Sequence, residues 1–196
     1  MPKIVSSSRP ATAISKAVTE FDMGNCVVIP TETVYGLAAD ATNGKAVAGI
    51  FELKNRPRFN PLICHVSGLS MARQYGVLDD QSVALAEKFW PGPLTIVVPL
   101  NQSGGIHELA TAGLGTVGLR CPSGISRDII AEINKPLAAP SANKSGRISP
   151  TTAQHVAEEF EDADLLIVDG GACEVGIEST IVKPEADRLV LLRPGS

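Results

Sequence analysis

Apolar positions along the chain fall into two rhythms. Between residues 12 and 23, Ile14, Ala17, Val18 and Phe21 recur at helical spacing, and Gly24 closes the segment. CVVIP (26–30) is a short apolar run ended by proline, which predicts a buried strand, and TETVYG follows as a polar loop. From Asn43 onward, Ala46, Val47, Ile50 and Phe51 predict a second helix. It should end near Lys54 or Asn55, because Pro57 disfavours helical backbone before it. LICHV (62–66) reads as a strand. A helix is predicted over 80–90 with Asp79 or Asp80 near its start, PGP (91–93) breaks it, and LTIVVPL (94–100) is the next strand. TVGLRCP (116–122) is another strand, followed by a helix carrying Ile125, Ile129, Ile130 and Ile133 with Ser123 as its N-cap. LAAP (137–140) is a short strand. Ser149, with Pro150 at the first helical position, predicts a helix running to about residue 161. LLIVDGG, ESTIV and LVLLR complete the strands.

Helices and strands alternate without a linker, repeat or low-complexity tract. The predicted architecture is one α/β domain over residues 1–196, a twisted open sheet flanked by helices. The consecutive strands ESTIV and LVLLR predict a hairpin, and hence a mixed sheet.

Composition narrows the function classes. The chain has 196 residues, 44% of them hydrophobic, enough for a sizeable core. Its formal net charge is −4, against a general electrostatic grip on nucleic acid. Cys26, Cys64, Cys121 and Cys173 are far apart and form no C-x-x-C pair, so reduced structural thiols are expected. The N-terminus MPKIVSSSRP has no apolar signal region and no apolar run approaches 18 residues, so the expected setting is the cytoplasm, with no membrane partner.

Against that acidic background, FELKNRPRFNPLICHV (51–66) places Lys54, Arg56 and Arg58 within five residues, stiffened by Pro57 and Pro61. Polar and basic groups also gather at other strand ends: Thr31, Glu32, Thr33 and Tyr35 after CVVIP; Arg120 after TVGL; Ser141, Asn143, Lys144, Ser145 and Arg147 after LAAP; Ser179 and Thr180; and Arg193. Taken singly, KNRPR reads as a solvated surface run, SANKSG as a turn, and His65 as a satisfied core histidine. Arg120 is more telling, since a lone charge ending an apolar run needs a partner. If these loops converge, they form a concave basic cleft rich in hydroxyls and poor in carboxylates, suited to an anion such as a nucleotide phosphate. His107 and His155 read as surface residues, and no spacing predicts a metal site. There is no P-loop, no G-x-G-x-x-G after the first strand and no G-x-S-x-G elbow.

Taken together, PTETVYGL (30–37), KNRPRFNPL (54–62), FWPGPLT (89–95), APSANKSGRISPT (139–151), GIESTIV (176–182) and LRPG (192–195) resemble the YrdC-like family, which includes threonylcarbamoyl-AMP synthases. The likeness covers nearly the whole chain and fits the short, single-domain form. It implies an α/β twisted open sheet around a positively charged concavity. It also implies a reaction: L-threonine, bicarbonate and ATP, with Mg²⁺, give threonylcarbamoyl-AMP and pyrophosphate. The product then passes to a tRNA-modifying transferase that acts at adenosine 37.

By position, the resemblance assigns Thr33, His65, Arg120, Ser141 and Ser179 to the amino acid. It assigns Lys54, Arg56, Asn60, Thr116, Asn143, Thr151 and Arg193 to ATP, with Lys54 and Arg56 carrying catalysis by cancelling phosphate charge. Arg120 is expected to fork onto the threonine carboxylate. Asn55 stands where many relatives have glycine, and Cys64 where they have an aliphatic residue. Two other readings compete: an RNA-binding module using the same basic concavity, and a YciO-like relative with weak or different activity. The 4% aromatic content weighs against the RNA reading.

Overall fold

Ten strands form one open mixed sheet in a computed structural model that describes residues 1–57 and 59–196. Arg58 lies outside the described residues. In chain order the elements are β1 (Lys3–Ser6), α1 (Pro10–Asp22), β2 (Val27–Ile29), β3 (Gly36–Asp40), α2 (Gly44–Lys54), β4 (Ile63–His65), α3 (Leu69–Tyr75), α4 (Asp80–Phe89), β5 (Leu94–Pro99), α5 (Glu108–Thr111), β6 (Thr116–Arg120), α6 (Ile125–Ile133), β7 (Leu137–Ala138), α7 (Ala153–Glu159), β8 (Leu166–Asp169), β9 (Thr180–Glu185) and β10 (Arg188–Arg193). The sheet order is β1-β8-β2-β3-β7-β4-β6-β5-β9-β10, with β1 and β10 at the edges. The β9–β10 hairpin and the mixed sheet are as predicted.

Local chemistry sets the helix limits. Asn43 caps α2, its side chain accepting from the Lys45 and Ala46 N–H groups. Asn55 ends the same helix in the left-handed region at φ 49°, a conformation asparagine tolerates where a branched residue would not. Asp79 caps α4 through the Ser82 N–H.

Two helix starts differ from the sequence reading. α6 begins at Ile125, with Gly124 as N-cap and no side-chain cap, because Ser123 gives its N–H and hydroxyl to Glu32. α7 begins at Ala153 under a Thr152 cap rather than at Ser149–Pro150. There the Ser149 hydroxyl donates to Glu178 and the Pro150 carbonyl accepts from Tyr35. Half-buried His107 is also no plain surface residue, since its Nδ1 caps α5 by accepting from Leu109.

Four elements went unpredicted: β1, β3, α3 and the four-residue α5. β1 buries only Val5 and so shows no alternation. β3 reads GLAAD, weak in β-branched residues, yet is fully buried between β2 and β7. α3 has only seven residues.

The core runs along both faces of the central strands. Ile29, Leu37, Ile96, Leu119, Leu137 and Ile167 are fully buried, and Phe21, Ile50, Ile129 and Ile130 pack from the helices. All four cysteines are free thiols; burial pushes Cys26 and Cys64 up to about 12, and Cys121 and Cys173 up to about 11. Among the described residues no helix is long and apolar enough to cross a membrane.

Tyr35 ties the β2–β3 loop to the loop after β8. Its buried hydroxyl donates to the Gly171 carbonyl at 2.7 Å and accepts from the Gly170 N–H at 3.1 Å. Tyr35→Phe leaves both backbone groups without that partner, at a cost of about 1–3 kcal/mol. Urea unfolding at neutral pH should show that loss as a lower midpoint with an unchanged slope.

Candidate functional site

The mixed sheet brings strand starts and strand ends to one place. β4 and β6 run parallel with His65 beside Arg120, so both residues stand where these neighbouring strands end. β5 and β9 run parallel, with Leu94 beside Thr180, and both begin there. The end of β10 returns Arg193 beside Ile181. An isolated bridge joins Gly36, at the start of β3, to Ser141, after β7. The result is a cavity of about 300 Å³.

Thr33, His65, Arg120, Ser141 and Ser179 line this cavity, together with Arg56, Asn60 and Arg193. They span positions 33 to 193 yet share one hollow. Four other expected residues lie elsewhere. Thr116 stands at the start of β6, at the opposite end of that strand from Arg120, paired with Pro99. Thr151 is not on the cavity wall, and its carbonyl accepts from the Cys173 N–H. Asn143 lines a neighbouring hollow of about 610 Å³ beside Gly146, Arg147 and Ile148.

Lys54 differs most from its expected setting. It is no free ammonium on a basic loop, being only 2% exposed. Its Nζ donates to the carbonyls of Ser141 and Asn143, and its own carbonyl accepts from the Ser145 N–H. Lys54 thus fastens the 141–145 loop to the end of α2. Burial, aided by the nearby Arg56 charge, pushes its pKa down to about 8.

Arg120 finds the partner that its apolar surroundings demand. Its Nη2 donates to Glu32 Oε1 at 2.6 Å and to Thr33 Oγ1 at 2.9 Å, and its Nε donates to the Gly92 carbonyl at 3.3 Å. Arg120 is buried and the Glu32 side chain is only 9% exposed. Burial alone would raise the Glu32 carboxyl, but Arg120 and the Ser123 N–H outweigh it and hold Glu32 below its ordinary range. Glu178 lines the cavity, accepting the Ser149 hydroxyl, with Ser149 and Arg193 holding its carboxyl low, so the wall is less poor in carboxylates than the sequence suggests.

Arg193 is fixed by Ser179: Nε and Nη2 both donate to the Ser179 carbonyl, at 3.1 and 2.8 Å, and Nη2 also reaches Ser179 Oγ at 3.1 Å. The Ser179 hydroxyl shares a 2.8 Å hydrogen bond with the buried Thr95. Behind Arg193 the chain passes so close to β9 that a Cβ on Gly195 would sit 2.3 Å from the Glu178 carbonyl oxygen. Glycine is required there by that approach.

Two polar atoms on the wall are buried without a partner: Arg56 Nε and His65 Nδ1. Such groups cost free energy unless a ligand or water meets them. Burial, reinforced by the Arg120 charge, pushes His65 down to about 3, so the imidazole is neutral at working pH. Among the described residues, no group of three or more His, Cys, Asp or Glu side chains converges as a metal cage.

Because His65 refuses a proton that the unfolded chain accepts, its linkage has a definite sign. Its contribution is fully present above pH 6.5 and is lost as pH falls toward 3, at about 1.4 kcal/mol per pH unit. Denaturant unfolding at pH 7 and pH 5 should show wild type losing about 2 kcal/mol more over that interval than His65→Gln. Equal losses would show that the histidine is not held neutral.

Comparison with known proteins places this geometry. A family model for Sua5, YciO and YrdC proteins, described as telomere recombination, matches residues 20–195. A Pyrococcus abyssi protein named threonylcarbamoyl-AMP synthase is 45% identical over 174 residues, which is 88% of this chain and 51% of that protein. A Bacillus subtilis protein of the same name is 42% identical over 184 residues, 93% of this chain and 53% of that protein. The chain therefore spans about half the length of these relatives. The crystal structure of Pyrococcus abyssi Sua5 complexed with L-threonine superposes with a TM-score of 0.92 at 40% identity, covering 100% of this chain and 57% of that one. Escherichia coli YciO shares the fold at a TM-score of 0.85 and 20% identity, covering 100% of this chain and 95% of that one. With its motifs ordered around one cavity and the family model spanning most of its length, this chain belongs to the Sua5–YciO–YrdC family.

Proposed function

We propose that residues 1–196 act as one catalytic domain of a threonylcarbamoyl-AMP synthase, joining L-threonine, bicarbonate and ATP into threonylcarbamoyl-AMP and pyrophosphate. One observation carries this reading. Three arginines, a neutral histidine and four hydroxyl residues from distant parts of the chain line one cavity. The likeness to a protein crystallised with L-threonine supports the amino-acid half. The names of the relatives support the reaction.

The chemistry needs positioning and charge neutralisation more than an acid–base pair. The threonine amine, its ammonium proton already given up to water, joins bicarbonate with loss of water to give an N-carboxylate. An oxygen of that carboxylate forms a bond to the α-phosphorus of ATP while the bond to the β-phosphate oxygen breaks, and pyrophosphate leaves. Both partners are anions, and their approach is opposed until cations screen it. Arg56 and Arg193, each only partly buried, are the groups offered to phosphate oxygens, with Asn60 beside them. Arg120 meets the threonine carboxylate, with Thr33, Ser141 and Ser179 as positioning hydroxyls and His65 as a neutral polar group.

Asn143 and Thr151 serve the nucleotide from the adjoining loop, and Lys54 serves it indirectly by holding that loop. Thr116, at the far end of β6, takes no direct part. Mg²⁺ accompanies the triphosphate; Glu178 is a carboxylate on the wall, so phosphate and water supply most of its ligands. The product goes on to a tRNA-modifying transferase, in the cytoplasm where that chemistry is carried out.

The test is pyrophosphate release from ATP and Mg²⁺ with labelled threonine. Release should require both threonine and bicarbonate, and omitting either should abolish it. Arg56→Ala should lower kcat/KM for ATP about ten- to a hundredfold, as expected for one charge-assisted contact, with an unchanged melting temperature. Release that ignores threonine would exclude the reaction. Salt-sensitive RNA binding without any product would instead favour an RNA-binding module.

A further inference from the structure

Glu32 has no place in the proposed chemistry, yet it is bound to the group that meets the substrate. The guanidinium of Arg120 is committed on two of its three nitrogens, Nη2 to Glu32 and Thr33 and Nε to Gly92. Among the described residues Nη1 has no protein acceptor, so it is the nitrogen left for a ligand. A symmetrical two-nitrogen fork onto an incoming carboxylate is thereby ruled out by the contacts already made. Glu32 is itself fixed from behind, where Oε2 accepts the Ser123 N–H at 3.0 Å and its hydroxyl at 3.1 Å. Backbone bonds from Val175 and Gly176 to the Glu32 and Thr33 carbonyls lock the same stretch from the other side.

We propose that Glu32 is a positioning and affinity-setting residue: it orients Arg120 and shares its charge, so that the substrate carboxylate meets a guanidinium already paired within the wall. This inference rests on the assignment of Arg120 to the amino-acid carboxylate. Its physical content is a competition. In a buried site two anions on one guanidinium repel each other, and each weakens the other's hold. Glu32 is ionised at neutral pH, since its carboxyl is held low, so the competition is present under working conditions. The arrangement also keeps the empty cavity from carrying a bare buried cation, and it makes amino-acid release easier.

The competition separates this role from a merely structural one. Glu32→Gln keeps the shape and can still accept from Arg120, but it removes the competing charge. Equilibrium binding of L-threonine and of L-threoninamide, which lacks the carboxylate, is measured without ATP, and the ratio of their dissociation constants is compared between variants. Glu32→Gln should raise the preference for threonine over the amide about three- to tenfold, while binding of the amide itself stays within about twofold. Ser123→Ala strips a donor from the same carboxylate and leaves more of its charge for Arg120. It should shift the ratio the other way, and it keeps the experiment decisive if Glu32→Gln does not fold.

Arg120→Gln tests the underlying assignment separately, because it should collapse the ratio toward one. A ratio untouched by Arg120→Gln would remove the carboxylate assignment itself. A ratio that collapses with Arg120→Gln but falls or stays level with Glu32→Gln would overturn the role of Glu32 alone. If Glu32→Gln does not fold, an unchanged ratio in Ser123→Ala would do the same.

Discussion

A guanidinium buried at the end of β6 needs a counter-charge, and much of the site follows from how that need is met. Arg120 lies inside the fold because β6 is a central strand with neighbours on both sides. Removing one member of such a buried pair typically costs about 3–5 kcal/mol, since the other is left uncompensated. Glu32 supplies the charge from the loop between β2 and β3, and Ser123, just before α6, holds Glu32 in turn. The ion pair and its support thus join the β2–β3 loop to the end of β6 and the turn into α6. The same contacts draw Thr33 onto the cavity wall and take Ser123 away from the helix it would otherwise cap.

A second fastening works at the end of α2. Lys54 closes α2 onto the Ser141–Asn143 turn through two backbone carbonyls, acceptors that carry no charge of their own. Full protonation there is opposed by burial and by Arg56, which explains the direction of its pKa. The two fastenings differ in kind. Arg120 is neutralised by an anion and still presents a nitrogen to the cavity, whereas Lys54 is consumed by the scaffold. Arg56 and Arg193, less enclosed, are left to face solvent-borne anions.

Much of this was legible in the sequence, and the misses share a cause. α1, α2, α4 and α6 show through their apolar spacing, and β2, β4, β5 and β6 through short apolar runs. β3 was hidden because Gly36, Ala38 and Ala39 carry little strand preference, and only burial between β2 and β7 makes them extended. Ser123 and Ser149 carry the signature of helix caps, but each hydroxyl is claimed by a distant glutamate, Glu32 or Glu178. At the site, Arg120 announced that it needed a partner without naming it. Glu32 was in plain view in TETVYG, and nothing local marks it as that partner. The enclosure of Lys54 was not legible, because charge pattern cannot distinguish an ammonium facing solvent from one turned under a loop.

The β10 edge shows what the fold gives up to place Arg193. Leu189, Leu191 and Leu192 are exposed along this outermost strand of the sheet. Natural edges of that kind are usually guarded by flanking charges that discourage a foreign strand from adding on. Arg188 guards one end of β10, though its guanidinium leans on Glu185 within the hairpin. At the other end the guard has been turned inward, since Arg193 is bonded to Ser179 and faces the cavity. A side chain turned toward the cavity is thus one that does not screen the exposed leucines of this outermost strand.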